Sequence, residues 1–138
     1  MRVKAFKSDE YDFSDRRFQL LFYQVSHGEM IIRSNKTDII RDFNYNHTID
    51  IYFGDVKYME IPSVLDGITF RRPNDDDVSY INSKYQNEIT EDEIVVIISN
   101  KKEYYIIASV ISIIENQLSY MELPIQCFLH DGECVSHI

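Results

Sequence analysis

The chain has no tryptophan, two cysteines, three prolines and four glycines in 138 residues. Its first residues, MRVKAFKSDEYDF, lack the apolar stretch of a secretory signal and turn acidic quickly. With no export signal, Cys127 and Cys134 are expected to be free thiols in a reducing, cytoplasmic compartment. A chain of this length buries roughly two thirds of its unfolded surface, so a core without disulfides is feasible. Long apolar runs are missing too. The longest, Tyr104 to Ile114, is broken by Ser109 and Ser112 and is too short to span a bilayer. Basic residues are few, 14 against 23 acids, for a net charge of -9. Nucleic-acid affinity depends on Lys and Arg neutralising phosphates, and Arg16-Arg17, Arg71-Arg72 and Lys101-Lys102 are isolated pairs, so nucleic acid is disfavoured as a partner.

What is present points to strands. Ten tyrosines and eight phenylalanines accompany isoleucine throughout, and aromatic and β-branched enrichment favours sheet over helix. Hydrophobic residues make up 44%, too many for a disordered chain. Thr48 to Ile61, TIDIYFGDVKYMEI, reads as two alternating strands around a Gly54-Asp55 turn. A two-residue loop there pairs Phe53 with Val56, Ile51 with Tyr58 and Ile49 with Glu60. One face then carries Ile49, Ile51, Phe53, Val56 and Tyr58. The other carries Asp50, Tyr52, Lys57 and Met59 and is expected to be half-wet.

Other strands are predicted at Arg2 to Lys7, Arg17 to Val25, Glu29 to Ser34, Ile68 to Arg72, Glu93 to Ser99 and Ile125 to Leu129. His27-Gly28 forms the tip of a second hairpin. Ser8 to Asp15, Asn35 to His47 and Pro62 to Gly67 read as turns or loops, with Asp66-Gly67 as a turn signal. Pro73 to Asn87 reads as an exposed excursion with one short strand at Val78 to Ile81. Glu103 to Ile114 carries helical spacing at Ile107, Val110, Ile111 and Ile114, but its β-branched density and its position after a turn favour a long strand bent near Ala108-Ser109. About nine short strands result, with no alternating helices to suggest a parallel fold. The expectation is one all-β domain over 1–138, a single antiparallel curled sheet with hairpin connections, forming a sandwich or a partly open barrel, with a loose tail from about 131.

Candidate chemistry is sparse. Cys127, His130, Cys134 and His137 supply four zinc-ligand types, but only three residues separate His130 from Cys134, and Cys127 in PIQCFL also suits a small packed hydrophobe. No metal or cofactor is assigned. Asp75, Asp77 and Ser79 begin like a calcium loop, but Tyr80 stands where its glycine belongs and Gln86 where its last glutamate belongs. His27 and His47 have no nucleophile with a defined partner, and no catalytic motif is present, so no catalytic residue is assigned. The tyrosines, among them Tyr23, Tyr45, Tyr52, Tyr58, Tyr104 and Tyr105, exceed what a small core needs. Tyrosine is enriched at interface hot spots.

Ser26-His27-Gly28-Glu29, Ile31-Ile32-Arg33-Ser34, Ile49-Asp50-Ile51-Tyr52-Phe53-Gly54-Asp55-Val56-Lys57-Tyr58, Ile61-Pro62 and the later Ile98 to Ser109 followed by Ile114-Glu115-Asn116 form a pattern over roughly residues 17–116. It resembles small bacterial immunity-type proteins that accompany polymorphic or contact-dependent toxins. The resemblance implies a cytoplasmic inhibitor that performs no reaction and binds a cognate toxin domain. An acidic inhibitor would suit a basic nuclease toxin. From charge and exposure, the candidate contacts are Asp50 and Tyr52, the cluster Asp75, Asp76 and Asp77, and the cluster Glu91, Asp92 and Glu93. The alternative is a small-molecule or lipid carrier using a β-barrel cavity. The chain is expected to be a monomer or homodimer with no membrane partner.

Overall fold

The computed structural model describes residues 11–35, 47–85 and 87–116, and the backbone of 2–5. Among the described residues nine strands run in chain order as β1 (Arg2–Ala5), β2 (Asp12–Gln24), β3 (Glu29–Ser34), β4 (Thr48–Gly54), β5 (Tyr58–Glu60), β6 (Val64–Arg71), β7 (Ile94–Ser99), β8 (Lys102–Ile107) and β9 (Val110–Asn116). One α-helix among them, α1 (Asp75–Tyr85), lies between β6 and β7. All pairings are antiparallel, in the order β1-β9-β4-β3-β2-β6-β7-β8-β5. The single antiparallel sheet of the sequence analysis is therefore present, and it is strongly curled.

The curl follows from chain connectivity. β8 and β9 are second from opposite ends of the sheet, yet only Ala108 and Ser109 join them. In a flat sheet six strand spacings would separate them by roughly 29 Å, whereas three Cα–Cα steps reach about 11 Å. The sheet has to fold back on itself. β4 and β5 make the same passage through Asp55, Val56 and Lys57. Backbone bonds tie the two passages into one corner. Lys57 N–H donates to Ile107 O at 2.9 Å, Ser109 N–H to Gly54 O at 3.1 Å, and Val56 N–H to Gly28 O at 2.7 Å.

That corner replaces the expected Gly54-Asp55 hairpin. β4 does not pair with β5. It pairs with β9 over seven register positions, from Thr48↔Asn116 to Gly54↔Val110, and with β3 over five. β5 pairs with β8, Tyr58 opposite Ile107. Only Asp55 takes a positive φ, 54°, whereas the tightest hairpin turn needs two such residues. The turn with two is Asn100-Lys101, at φ 52° and 65°, and it does join β7 to β8. The β2–β3 hairpin is also as expected, with Gly28 left-handed at its tip. So is the bend at Ala108-Ser109, which divides the long strand into β8 and β9.

The inside of the curl is filled by Phe18, Met30, Ile32, Ile49, Ile51, Phe53, Leu65, Ile68, Ile97, Ile106 and Ile113 with their neighbours. The expected apolar face of Thr48 to Ile61 is thus correct through Val56, while Tyr58 belongs to a second cluster. That second cluster lies under α1, where Ile81 packs with Ile89, Ile94, Val96 and Ile107.

Three further expectations are corrected. Val78 to Ile81 lies in α1, not in a strand. Residues 12–15 are part of β2, not a loop. Asp66-Gly67 does not turn the chain: β6 runs through it, with Gly67 left-handed at φ 72° inside the strand. The expected strand at Ile125 to Leu129, the tail from about 131, the zinc-type set Cys127, His130, Cys134 and His137, and most of the Asn-rich stretch lie outside the described residues.

Candidate functional site

Pro73 and Asn74 lead into α1, which organises a polar face of the described residues. Asn74 Oδ1 accepts the Asp77 N–H at 3.1 Å, and Asp77 Oδ2 accepts the Asn74 N–H at 2.8 Å. This is a reciprocal capping box, with Asp75, Asp76 and Asp77 all placed against the positive end of the helix dipole and Lys84 near the other end. Sequence reasoning missed the helix although the signal was there: Asn-x-x-Asp directly after a proline.

Asp77 then turns inward and is nearly fully buried. Arg71, at the end of β6, grips it with Nη1 at 2.7 Å from Oδ2 and Nη2 at 2.8 Å from Oδ1. The Tyr105 hydroxyl of β8 donates to Oδ1 at 2.9 Å. Arg71 Nε also donates to Glu103. The Arg71 bond, then the backbone bond from Asn74 and the Tyr105 hydroxyl, pull the Asp77 carboxyl down to about 2 against the opposing effect of burial. Burial first, and the bond to Asp77 second, push the Tyr105 phenol up to about 12. The folded-state value of Asp77 lies below its unfolded one, so its contribution to stability is fully present above about pH 4 and is lost as pH falls toward 2. The contribution is on the order of 2 kcal/mol. Urea midpoints at pH 5 and pH 2.5 should therefore fall more for the native chain than for Asp77→Asn; equal falls would refute this account.

Next to this lock lies a tyrosine group. Glu60, the last residue of β5, accepts the Tyr58 hydroxyl at 2.5 Å and the Tyr80 hydroxyl at 2.9 Å. Hydrogen bonding to Glu60 pushes Tyr58 up to about 12 and raises Tyr80 as well. The Tyr80 ring packs on Tyr105 with centroids 5.0 Å apart, and Tyr58 lies 6.2 Å from Tyr85. Lys84 Nζ sits 5.6 Å above the Tyr80 ring, one helical turn on. Lys57 bridges Glu93 at 3.0 Å and Asp55 at 3.5 Å, and these acids, Glu93 foremost, raise its pKa.

The structure divides the sequence-predicted contacts. Asp75, Asp76, Glu91 and Asp92 are exposed. The two acidic clusters lie on neighbouring elements, because the turn at Glu91–Glu93 contacts α1 and the Ile89 N–H donates to Asn82 Oδ1 at 3.1 Å. Asp77 and Glu93 are committed internally to Arg71 and Lys57. Asp50 and Tyr52 belong elsewhere, and of the face expected to be half-wet Tyr52 is half-buried while Asp50 is not wet at all. Asp50 is fully buried, forked by Arg33 and bonded by Asn116. The Tyr52 hydroxyl donates to buried Glu29 at 2.9 Å. The side of β4 read as solvated is in fact occupied by a buried polar network, which alternation alone does not reveal.

His27 is exposed at the hairpin tip, and His47 is half-buried with its carbonyl accepting from Arg16 at 2.8 Å. Among the described residues no group of three or more His, Cys, Asp or Glu is placed to hold a metal ion. No helix among them is long and apolar enough to cross a membrane. No family model, curated protein or solved structure matches the chain.

Proposed function

We propose that this chain is a non-catalytic binding protein, an immunity-type inhibitor that occludes a cognate bacterial toxin domain in the cytoplasm. The observation that carries this reading is the face formed by α1, β5 and β8. Its exposed acids Asp75, Asp76, Glu91 and Asp92 stand on a scaffold held by the Arg71–Asp77 fork and the Glu60–tyrosine bonds. A rigid, acidic, tyrosine-bearing surface suits fast association with a basic partner and little ordering cost on binding. The alternative, a carrier with a barrel cavity, is less well supported, because large side chains such as Phe18, Phe53 and Ile97 occupy the inside of the curl.

The test starts from the gene beside this one. Its product's terminal domain should be toxic when expressed alone and harmless when this chain is co-expressed. Reversing Asp75, Asp76, Glu91 and Asp92 to lysine should slow association with that domain at least about tenfold at low salt and flatten its salt dependence. Asp77 and Glu93 are left intact because they hold the fold. Unchanged association and unchanged salt dependence would refute acidic steering.

A further inference from the structure

Among the described residues, each buried or half-buried carboxylate on the α1–β5–β8 face meets a cation except one. Asp77 pairs with Arg71, which also holds the exposed Glu103, and Glu93 meets Lys57. Glu60 is half-buried and accepts two tyrosine hydroxyls, yet among the described residues no lysine or arginine pairs with it. Hydroxyl donors fix a carboxylate's position without neutralising its charge. Oε2 already accepts from Tyr58 and, at 3.2 Å, from Tyr80, whereas Oε1 takes only the Tyr80 hydroxyl and has a further acceptor site open. Beside it the Tyr80 ring is part-exposed, supported from behind by Tyr105, and its π-face already attracts the Lys84 ammonium.

We propose that Glu60 and Tyr80 form the anchor for an arginine side chain of the protein partner, with Lys84 lying over the aromatic face until the arginine arrives. A guanidinium fits better than an ammonium for two reasons. Its rigid fork can direct an N–H at Glu60 Oε1, and the same plane can stack on a phenol ring. Tyrosine–arginine pairs of this kind are typical interface hot spots. The surrounding acids Asp75 and Asp76 add attraction at longer range. The inference rests on reading the α1 face as the partner-binding surface.

Hexa-arginine and hexa-lysine amides, titrated into the isotope-labelled chain and followed by NMR, test the site without any toxin. Shifts should centre on Glu60, Tyr80 and Lys84, and the arginine peptide should bind at least about threefold tighter than the lysine peptide. Tyr80→Ala and Glu60→Gln should each weaken the arginine peptide by about fivefold or more. Tyr80→Phe, which keeps the ring, should lose no more than about twofold. Lys84→Met clears the ring face, leaves the core untouched and should tighten binding, so the site stays testable if Tyr80→Ala does not fold. Shifts spread evenly over Asp75, Asp76, Glu91 and Asp92, with no preference for arginine, would overturn the proposal. The two readings also separate. Toxin neutralised equally well by the Glu60→Gln/Tyr80→Ala double variant removes this anchor and leaves the inhibitor. Arginine docking at Tyr80 with no toxin neutralised removes the inhibitor and leaves the anchor.

Discussion

Asp50→Ala is expected to destabilise the protein by about 3–5 kcal/mol, a large fraction of a typical domain's stability. Asp50 and Arg33 stand directly opposite each other on β4 and β3, and both side chains are essentially inaccessible to water. The guanidinium forks the carboxylate with Nε at 2.6 Å from Oδ1 and Nη2 at 2.7 Å from Oδ2, and Asn116 of β9 adds a third bond at 3.0 Å. The pair links three neighbouring strands. A one-residue slip of β4 against β3 would strand both charges, so the pair also selects the register. Removing the carboxylate takes away the counter-charge that forks a buried cation, which costs far more than a surface ion pair is worth. Chemical denaturation followed by circular dichroism reads the effect. The double variant Arg33→Met/Asp50→Leu, which removes both charges, should recover much of the loss. A cost below about 1 kcal/mol for Asp50→Ala would show that the pair is not the determinant claimed.

Gly67→Ala should cost about 2–4 kcal/mol. Gly67 is left-handed in the middle of β6, and a Cβ placed on it would lie 2.6 Å from the Ser14 carbonyl oxygen and 3.2 Å from the Ser14 carbonyl carbon and Cα. All three are backbone atoms and cannot swing aside. The reason for the close approach is a bulge. Phe13 pairs with Ile68 and Arg17 with Asp66, so Ser14, Asp15 and Arg16 face the single residue Gly67. The bulge redirects Arg16 inward, where Nε donates to Ser34 Oγ at 2.9 Å and Nη2 to the His47 carbonyl at 2.8 Å. An alanine would both strain the backbone and push this bulge away from its partner. Gly54→Ala is the control. Gly54 has no positive φ, its added Cβ would meet the side chains of Tyr52 and Val110 at 3.1–3.2 Å, and its cost should be less than half as large. Thermal melts of the two variants decide the matter. Equal costs would remove the bulge argument.

Much of the candidate face was visible as composition and little of it as geometry. The acids Asp75, Asp76, Glu91 and Asp92 stand exposed as charge alone suggests. Asp77 and Glu93 do not, because Arg71, six residues before Asp77 at the end of β6, forks the first, and Lys57, 36 residues from Glu93, bridges the second. Glu60 and Tyr80 are twenty residues apart and carried no local signal, since they meet only when α1 lies over β5.

Side-chain alternation is a local property of extended backbone. It placed Ile49, Ile51 and Phe53 on the core side. Length and β-branching, equally local, mark Glu93 to Ser99 as buried strand, and Ile94–Ser99 forms β7. Strand pairing is a different matter. Every strand offers the same N–H and C=O groups, so nothing within Thr48 to Gly54 says whether the nearby β5 or the distant β9 will fill them. The choice fell to β9 because seven aligned pairs and a shared polar network with Arg33 and Asn116 outweigh three pairs across a tight turn. The same long-range choice sent β5 to the far edge of the sheet, where Glu60 meets Tyr80.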